Sequence, residues 1–425
     1  MSDATIDPVQ EVVKEEVVVE DEDDDQIVTP WKVSSKGLFK YDALQTKWGL
    51  KPITEDIIAR FERVTGKKPS HYLTRGIFFA HQDFEKILDD VESGKEIYQY
   101  SGRGPSSEAL HLGHLLPLQF AAEMQQAFDC ITVIQMSDIE KFHFKQGDLD
   151  EFMGYVESNA KDLIACGFNP EKTFVFSAFK YLPFMQPLVE ILNKKTNINQ
   201  MNKIYGFDIN SSVGHVSWPN EQIIPSMSGA FPHLFGNRKC RCLVTLAIDQ
   251  FPFFALARDV AESLGYPKPA IIASKFLPSL VGPKEKASAT GEVPAIFLND
   301  TPETVATKIK RYAFSGGGET LQLHREKGGN ISVDIPYIYL FHFLKDEERL
   351  KQIAEEYTAG RMLTGEIKQI MTDVVVQMLA EHSVQRAKIT KEVYDKMFTI
   401  RVQPDVADYF RDFYQKYVNV DIKFE

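Results

Sequence analysis

The chain has 425 residues, of which 44% are hydrophobic, and a chain of this size is expected to form two or three domains with complete hydrophobic cores. No apolar stretch is long enough to span a membrane, and the acidic N-terminus is unlike the basic start of a signal or transit peptide. Four cysteines are too few for a disulfide framework, which favours a reducing cytoplasmic environment. Cys240 and Cys242 lack a second close pair of ligands, so we expect no metal site there.

The net charge of −12 is concentrated at the N-terminus, because residues 1–26 contain eleven acidic side chains and one lysine. The remaining 399 residues therefore carry −12 − (−10) = −2. A nearly neutral body leaves room for local basic patches that bind phosphate. We expect residues 1–26 to form a disordered acidic tail and residues 27–95 to form an extension packed on the core, with capped helices near 54–65 and 83–91.

The central motif lies at residues 98–114, YQYSGRGPSSEALHLGH. It predicts the end of a buried strand, then a tight turn rich in glycine and proline, and a helix from Ser107 onward. A helix N-terminus after a glycine turn is a site for phosphate, because unpaired N–H groups and the helix dipole attract anions. His111 and His114 project from one face of the first turn, and Gly113 leaves the backbone bare for a flat base.

These two histidines alone are a weak signal, since they could be ordinary polar residues or half of a metal site. A zinc site would need further ligands, and the neighbouring residues offer only Glu108. A second motif supports a nucleotide site instead. The sequence KEKASAT at residues 284–290 lies in a loop bounded by glycine and proline, after a strand-like run at 270–272.

Three further apolar runs predict buried parallel strands, at residues 130–136, 173–176 and 242–248. The alternation of strands and helices predicts an α/β fold, a doubly wound, Rossmann-like parallel sheet in a catalytic domain of residues 96–300. Asp249 and Gln250 follow the last of these strands, at the edge where open α/β sheets bind ligands. Gln135 falls within an apolar run, and its buried amide needs a partner from the protein or from a ligand.

Two segments outside the sheet are predicted to be helical. Residues 181–235 interrupt the alternation and predict a helical insertion. Residues 301–425 predict an all-α C-terminal domain, in which Pro302 suits a first helical position. Its clearest helix has a stripe assigned to core packing, formed by Ile367, Ile370, Met371, Val374, Val375, Met378 and Leu379.

In combination these motifs resemble those of the class I aminoacyl-tRNA synthetases, and in particular the tryptophanyl-tRNA synthetases of eukaryotic cytoplasmic type. The His-x-Gly-His string ending at His114 and the Lys286 loop, a variant of Lys-Met-Ser-Lys-Ser, correspond to the two signatures of the class. The other matches lie at residues 29–31, 101–107, 247–250, 265–270 and 312–317. The resemblance covers residues from about 28 to about 403.

The resemblance implies a ligase that activates tryptophan with ATP to tryptophanyl-adenylate and pyrophosphate, then transfers tryptophan to the 3′-terminal ribose of tRNA(Trp). It implies that ATP is a substrate, that Mg²⁺ accompanies the pyrophosphate, and that tryptophan and tRNA(Trp) are the other partners. It also implies a cytoplasmic homodimer without membrane or DNA partners. The C-terminal helical domain would bind the anticodon and return to the core at its end. The resemblance also implies that residues 28–31 lie close to the nucleotide.

Residue roles follow from the same resemblance. The implied catalytic residues are His111, His114, Lys286 and Ser288. The implied ATP-binding residues are Arg103, Gly104, Gly113, Asp249, Lys286 and Ser288. The implied tryptophan-binding residues are Tyr100 and Gln135 for the indole N–H, with Glu140, Gln222 and Gln250 for the α-ammonium group. No residue is assigned to a metal.

The sequence departs from the family pattern at Ile139, Phe251, Ala255, Ala287 and Thr290. None of these departures removes an implied catalytic group, but they leave the rate, the affinity for ATP and the tRNA contacts open. Two alternatives remain at this point. One is tyrosyl specificity on the same fold, and the other is a non-catalytic paralogue that binds RNA or protein. The presence of both histidines and Lys286 argues against the second alternative.

Overall fold

The computed structural model of the protein describes residues 26–31, 33–287 and 295–418. The expected acidic tail lies outside these residues except for Gln26, and so do Ser288 and Thr290 of the second motif. Among the described residues, no helix has the length and apolarity needed to cross a lipid bilayer.

The described residues form eleven strands, which are β1 (Gln26–Val28), β2 (Val33–Ser35), β3 (Lys51–Pro52), β4 (Phe78–Gln82), β5 (Ile97–Arg103), β6 (Ile131–Met136), β7 (Thr173–Ser177), β8 (Arg241–Ala247), β9 (Ala270–Ser274), β10 (Pro278–Ser279) and β11 (Gly282–Lys286). Seven of them form one sheet in the order β3-β4-β9-β8-β5-β6-β7. The strands from β9 to β7 are parallel, and β4 and β3 add an antiparallel edge. The predicted doubly wound α/β fold is confirmed, and its sheet is mixed rather than purely parallel.

The same residues form nineteen α-helices, which are α1 (Tyr41–Trp48), α2 (Glu55–Thr65), α3 (His71–Thr74), α4 (Phe84–Glu92), α5 (Leu112–Phe128), α6 (Asp138–Phe144), α7 (Leu149–Ile164), α8 (Ala178–Asn193), α9 (Ile198–Tyr205), α10 (Val213–Ile223), α11 (Pro232–Phe235), α12 (Phe251–Ala261), α13 (Pro302–Tyr312), α14 (Leu321–Lys327), α15 (Ile335–Phe343), α16 (Glu347–Thr358), α17 (Thr364–Ala387), α18 (Lys391–Phe398) and α19 (Ala407–Tyr417). The helices expected near 54–65 and 83–91 are α2 and α4. The segment between β7 and β8 is mainly helical, as expected of the insertion.

The sheet has hydrophobic cores on both of its faces, because alternate side chains of a strand point to opposite faces. Val133 of β6 lies in one core with side chains of α8, α10 and α12. The next residue, Ile134, lies in the other core with side chains of α5, α7 and the C-terminal helices. Helices therefore cover both faces, which explains why β6 is apolar at nearly every position.

The C-terminal helices share one of these cores with the sheet. Thr301 caps α13 and Pro302 is its first residue, because a proline lacks the N–H that would be unpaired there. The apolar stripe of α17 is buried at Ile367, Met371, Val375 and Leu379. These side chains pack in the same cluster as residues of α5 and α7, so the stripe serves core packing.

A second, small sheet has the order β1-β2-β11-β10 and joins the start of the N-terminal extension to the strands near Lys286. Strands β1 and β2 form an antiparallel hairpin, and Ser34 in β2 pairs with Glu285 of β11. The start of the extension therefore lies beside the strand that ends at Lys286. This placement brings the hairpin near one of the implied ATP-binding residues.

Three sequence expectations about local structure were wrong. The helix expected from Ser107 begins at Leu112, because the turn continues and His111 is the N-cap. Strand β5 extends past Tyr100 to Arg103, since its ladder with β6 continues to the pair Arg103–Met136. The expected loop at 284–286 belongs to β11, which pairs on both sides.

Candidate active site

The implied site residues lie around the carboxyl ends of the central parallel strands. Tyr100 lies in the middle of β5, Arg103 is its last residue, and Gln135 is in the neighbouring β6. Asp249 and Gln250 lie in a short 3-10 helix directly after β8, the other neighbour of β5. Because the carboxyl ends of parallel strands meet at one edge, residues that are far apart in sequence converge there.

His111 and His114 pack against each other at the start of α5, with ring centroids 3.6 Å apart and ring planes tilted by 35°. His111 Nδ1 accepts a hydrogen bond from the Gly113 N–H at 3.2 Å, so its Nε2 carries the hydrogen. Burial, with smaller effects of Arg103 and Lys286, lowers the pKa of His111 to about 3. Burial also lowers the pKa of His114 well below its usual range. Both rings are therefore neutral near pH 7, and the positive charge of the site comes from other residues.

The contacts of His114 fix its tautomer. Its Nε2 lies 3.1 Å from Arg103 Nη1, and its Nδ1 lies 3.4 Å from the His111 backbone nitrogen. A guanidinium group has no acceptor atom, so Nε2 must accept and the hydrogen of the neutral ring must be on Nδ1. The 3.4 Å contact is then a close approach and not a hydrogen bond.

Arg103 is a buried cation at the end of β5. Its Nε donates to Asn159 Oδ1 at 3.3 Å and its Nη1 donates to His114. Its Nη2 is buried and has no hydrogen-bond partner within the described part of the chain, where no carboxylate forms an ion pair with it either. Burial lowers the pKa of Arg103 to about 10, so the group remains charged at neutral pH. A buried, incompletely paired guanidinium group favours an anionic ligand such as phosphate.

Tyr100 and Gln135 form a hydrogen-bonded pair inside the site. Tyr100 Oη donates to Gln135 Oε1 at 2.6 Å and lies 3.0 Å from the Gln222 carbonyl oxygen. Burial raises the pKa of Tyr100 well above its usual range, so the phenol stays protonated. Its oxygen still has a lone pair for an N–H donor, as does the Gln135 carbonyl oxygen. Gln135 Nε2 is buried and lacks a partner among the described residues, which marks this pocket as incompletely satisfied.

Glu140, Gln222 and Gln250 lie on three separate elements. Glu140 is in the first turn of α6, directly after β6. Gln222 is near the end of α10, and its Oε1 accepts from Ser137 Oγ at 3.4 Å. Gln250 ends the 3-10 helix after β8. The predicted ammonium ligands thus come from three segments that the fold brings to one edge of the sheet.

The fold brings Lys286 and Asp249 together, but they contact each other, although the resemblance implies that they contact different parts of ATP. The Lys286 ammonium group forms an ion pair with Asp249 Oδ2 and lies 5.6 Å from the centroid of the Phe276 ring. Asp249 is 1% exposed, and its Oδ1 has no partner among the residues that the structure describes. The carboxylate implied for the ribose is therefore occupied by the lysine implied for the phosphates.

Comparison with known proteins identifies the family. A model of the family described as "tRNA synthetases class I (W and Y)" matches residues 92–380. The cytoplasmic tryptophan–tRNA ligase of Dictyostelium discoideum is 44% identical over 384 residues, which cover 89% of this chain and 96% of that protein. The human cytoplasmic tryptophan–tRNA ligase is 44% identical over 388 residues, which cover 89% of this chain and 82% of that protein. The chain belongs to the class I tryptophanyl-tRNA synthetases.

The fold of this synthetase agrees with a solved structure of the family. The tryptophanyl-tRNA synthetase of Plasmodium falciparum superimposes with a TM-score of 0.81 at 41% sequence identity. The match covers 87% of this chain and 99% of that one. The sheet, the helical insertion and the C-terminal helices are thus features that this synthetase shares with its relatives.

Two side chains of this synthetase that the sequence did not single out contact the implied site residues. Lys141 Nζ donates to Glu140 Oε1 at 2.8 Å. Its aliphatic part crosses Gly104, where an added Cβ would lie 2.1 Å from Lys141 Cε, so a side chain at this position would displace the end of Lys141. Asn159 contacts Arg103, as described above. Lys141 directly follows an implied ligand and could have been found from the sequence, whereas nothing local marks Asn159.

The strand that ends at Lys286 is packed against the start of α5 in this synthetase. Ala287 is buried, and its N–H donates to the Leu277 carbonyl oxygen at 2.9 Å. A Cβ at Gly113 would lie 3.0 Å from the His111 ring and 3.6 Å from the Ala287 Cβ. One side of Gly113 therefore faces protein, and its role against adenine stays a prediction. Ser288 lies outside the described residues.

Proposed function

We propose that this synthetase activates tryptophan with ATP and transfers it to the 3′-terminal ribose of tRNA(Trp), as its relatives named tryptophan–tRNA ligase do. The observation that carries the proposal is the position of Arg103 and two neutral imidazoles beside a buried tyrosine–glutamine pair. Arg103 and the imidazoles suit a triphosphate, and the tyrosine–glutamine pair suits an indole N–H. Both lie at one edge of the sheet, where a carboxylate of tryptophan can meet the α-phosphate.

The proposed first step is adenylyl transfer by alignment and charge stabilisation. The tryptophan carboxylate attacks the α-phosphorus of ATP, an oxygen–phosphorus bond forms, and the bond to pyrophosphate breaks. Arg103 and Lys286 supply positive charge, while His111 Nε2 donates a hydrogen bond without being charged. His114 orients the guanidinium group that it contacts. Mg²⁺ enters with ATP as part of the substrate and neutralises the pyrophosphate.

The remaining contacts to ATP are proposed from the family pattern. Asp249 accepts from the ribose hydroxyl groups after Lys286 has moved to the phosphates. Gly104 and Gly113 let the nucleotide approach the backbone. Ser288 would donate a hydrogen bond from its hydroxyl group to a phosphate oxygen.

Tryptophan is proposed to bind through two sets of hydrogen bonds. Tyr100 Oη and Gln135 Oε1 accept from the indole N–H. A carboxylate and two amide oxygens, from Glu140, Gln222 and Gln250, accept from the α-ammonium group. The tyrosyl alternative is not favoured, because the relatives at 44% identity are named for tryptophan.

The partners of the enzyme are part of the same proposal. We expect cytoplasmic activity, as the names of the relatives state for those proteins. A homodimer is supported by apolar side chains exposed on and between the helices of the insertion, including Ile198, Ile209 at 90% and Val213 at 85%. The helices after Thr301 would bind the anticodon, with residues 27–95 and 96–300 forming the extension and the catalytic domain.

Tryptophan-dependent exchange between ATP and pyrophosphate tests this function. We expect exchange with tryptophan and Mg²⁺, and at least a hundredfold less with tyrosine, since a pocket with paired polar groups rejects a ligand that leaves them unpaired. Charging of a tRNA(Trp) transcript should follow. Exchange with tyrosine would indicate the other specificity, and no exchange with either amino acid would indicate a non-catalytic paralogue.

A further inference from the structure

The side chain of Asn159 connects α7 to the phosphate side of the active site. It is fully buried and belongs to none of the motifs of the sequence. Its Nδ2 donates to the carbonyl oxygens of Ser107 at 2.7 Å and Tyr155 at 3.0 Å, and lies 3.3 Å from that of Glu108. Its Oδ1 accepts from Arg103 Nε at 3.3 Å. One amide thus contacts both the turn before His111 and the buried guanidinium group.

The contacts of Arg103 determine which of its nitrogens is available. Nε is occupied by Asn159 and Nη1 by His114, whereas Nη2 has no partner in the described residues. A guanidinium group is planar, so two occupied nitrogens set the direction of the third. Without Asn159, Nε would be buried without a hydrogen-bond partner. The guanidinium group could then rotate and place a nitrogen other than Nη1 at His114 Nε2.

We propose that Asn159 is a positioning residue for adenylate formation, which orients Arg103 so that Nη2 donates to a phosphate oxygen of ATP. The proposal rests on the proposed function, because it requires ATP at this edge of the sheet. Asn159 acts through Arg103 and the Ser107 turn and does not touch the nucleotide itself. A neutral amide suits this role, since a carboxylate at the same place would pair with Arg103 and compete with the phosphate.

Gln125 offers a matched control for the structural part of this role. It is also a buried amide in a helix, and its Nε2 donates to Thr173 Oγ1 at 2.8 Å. Its Oε1 accepts from the Asn169 N–H at 2.7 Å. Gln125→Ala and Asn159→Ala should therefore cause similar losses in melting temperature, but only the second should change ATP binding.

The test measures the binding of a non-hydrolysable ATP analogue with Mg²⁺ by calorimetry, together with exchange kinetics. Asn159→Ala should weaken analogue binding and raise KM for ATP by about tenfold, the effect of one lost charge-assisted hydrogen bond. The KM for tryptophan should change less than twofold. Asn159→Asp keeps the size of the side chain and replaces the alanine variant if that variant does not fold. It should weaken binding of the ATP analogue at least as much as Asn159→Ala.

A double-mutant cycle with Arg103→Met decides between positioning and general damage. In the Arg103→Met background, Asn159→Ala should cause little further loss of analogue binding. Full additivity of the two losses in analogue-binding free energy would overturn the proposal. It would also be overturned if both Asn159 variants bound the analogue as tightly as Gln125→Ala does. If the parent protein showed no tryptophan-dependent exchange, the proposed function would fail, while the binding measurements would still test Asn159.

Discussion

The Lys286 ammonium group forms an ion pair with the buried Asp249 carboxylate, so two groups implied for different parts of ATP contact each other. In the ATP binding proposed above, a ribose hydroxyl group takes the place of the ammonium group while Lys286 moves to the phosphates. The strand that ends at Lys286 also pairs with the N-terminal hairpin at Ser34. The movement of Lys286 therefore involves a strand that is hydrogen-bonded on both of its sides.

Lys286→Ala should slow adenylate formation by about two to three orders of magnitude, the scale for the loss of one group that stabilises the transition state. Tryptophan binding should change little, because among the described residues the side-chain contacts of Lys286 are to Asp249 and Phe276, outside the implied tryptophan pocket. The matched control is Lys284→Ala, since Lys284 is exposed on the same strand. Rapid-quench measurements of adenylate formation check the prediction, and a rate within a few-fold of the parent would remove Lys286 from the mechanism.

Gln135→Leu should weaken tryptophan binding by about 1–3 kcal/mol, because the indole N–H would lose an acceptor in a buried site. The Tyr100 hydroxyl group would keep an acceptor, since the Gln222 carbonyl oxygen lies 3.0 Å away. The effect should therefore come from the ligand and not from an unpaired phenol. Calorimetry with tryptophan measures it, with KM for ATP as the internal control. Unchanged affinity would make Gln135 a structural amide.

The buried histidines should make the protein less stable as the pH is lowered from about 6.5, the usual pKa of histidine, whereas Glu221, whose pKa burial raises to about 7, acts in the opposite direction. Burial lowers the pKa of His111 and His233 to about 3 and that of His342 to about 4. Below pH 6.5 the unfolded state binds protons that the folded state excludes, so the free energy of unfolding decreases. Each such histidine contributes up to about 1.4 kcal/mol per pH unit in this window. Urea unfolding between pH 4.5 and 7.5 checks the sign, and a stability that is flat below pH 6.5 would contradict it.

The same pKa values make a separate prediction for catalysis. His111 should stay neutral throughout the range from pH 5 to 8, because burial lowers its pKa to about 3. The kcat of the exchange reaction should therefore show no inflection near pH 6.5 that depends on this residue. An inflection that His111→Gln removes would mean that the ring titrates in the enzyme–substrate complex.

Deletion of residues 1–25 should leave adenylate formation intact, whereas deletion of residues 1–35 should impair it. Gln26 exchanges hydrogen bonds with Lys40 and begins the hairpin, so the first deletion ends just before this structure. The second deletion removes the strand that pairs with β11 at Glu285. The shorter deletion should also strengthen tRNA binding at low salt, since it removes acidic residues that repel the tRNA. Equal exchange rates for both deletions would argue against a role of the hairpin.

The sequence made some of these features predictable and left others hidden. A glutamine in an apolar run identifies Gln135, and two histidines at helical spacing identify the start of α5, because each signal lies within a few residues. The contact between Arg103 and Asn159 joins residues 56 positions apart, and the ion pair of Lys286 joins residues 37 positions apart. Such contacts depend on the packing of separate elements and have no local signature.

The charge state of the site illustrates the same limit. The family resemblance implies that His111, His114 and Lys286 supply hydrogen bonds and positive charge to the phosphates. In the folded protein the two histidines are in contact, buried and beside Arg103, so their pKa values are lowered and the cation is the arginine. Burial depends on the helices that cover the sheet, and a residue pattern does not specify it.

Ala287→Met is expected to lower KM for ATP, because the larger side chain would disfavour the arrangement in which Lys286 pairs with Asp249. Ala287 is 6% exposed in that arrangement, and its Cβ lies close to Gly113. A methionine would add three heavy atoms to a packed position, and overpacking costs about 1–3 kcal/mol. That cost applies to the state that ATP must displace, so the equilibrium shifts toward the state that binds ATP. Pre-steady-state adenylate formation at several ATP concentrations measures the shift, with KM for tryptophan as the control. A raised KM for ATP would mean that methionine stabilises the paired state instead, and identical curves would mean that residue 287 does not influence the movement of Lys286.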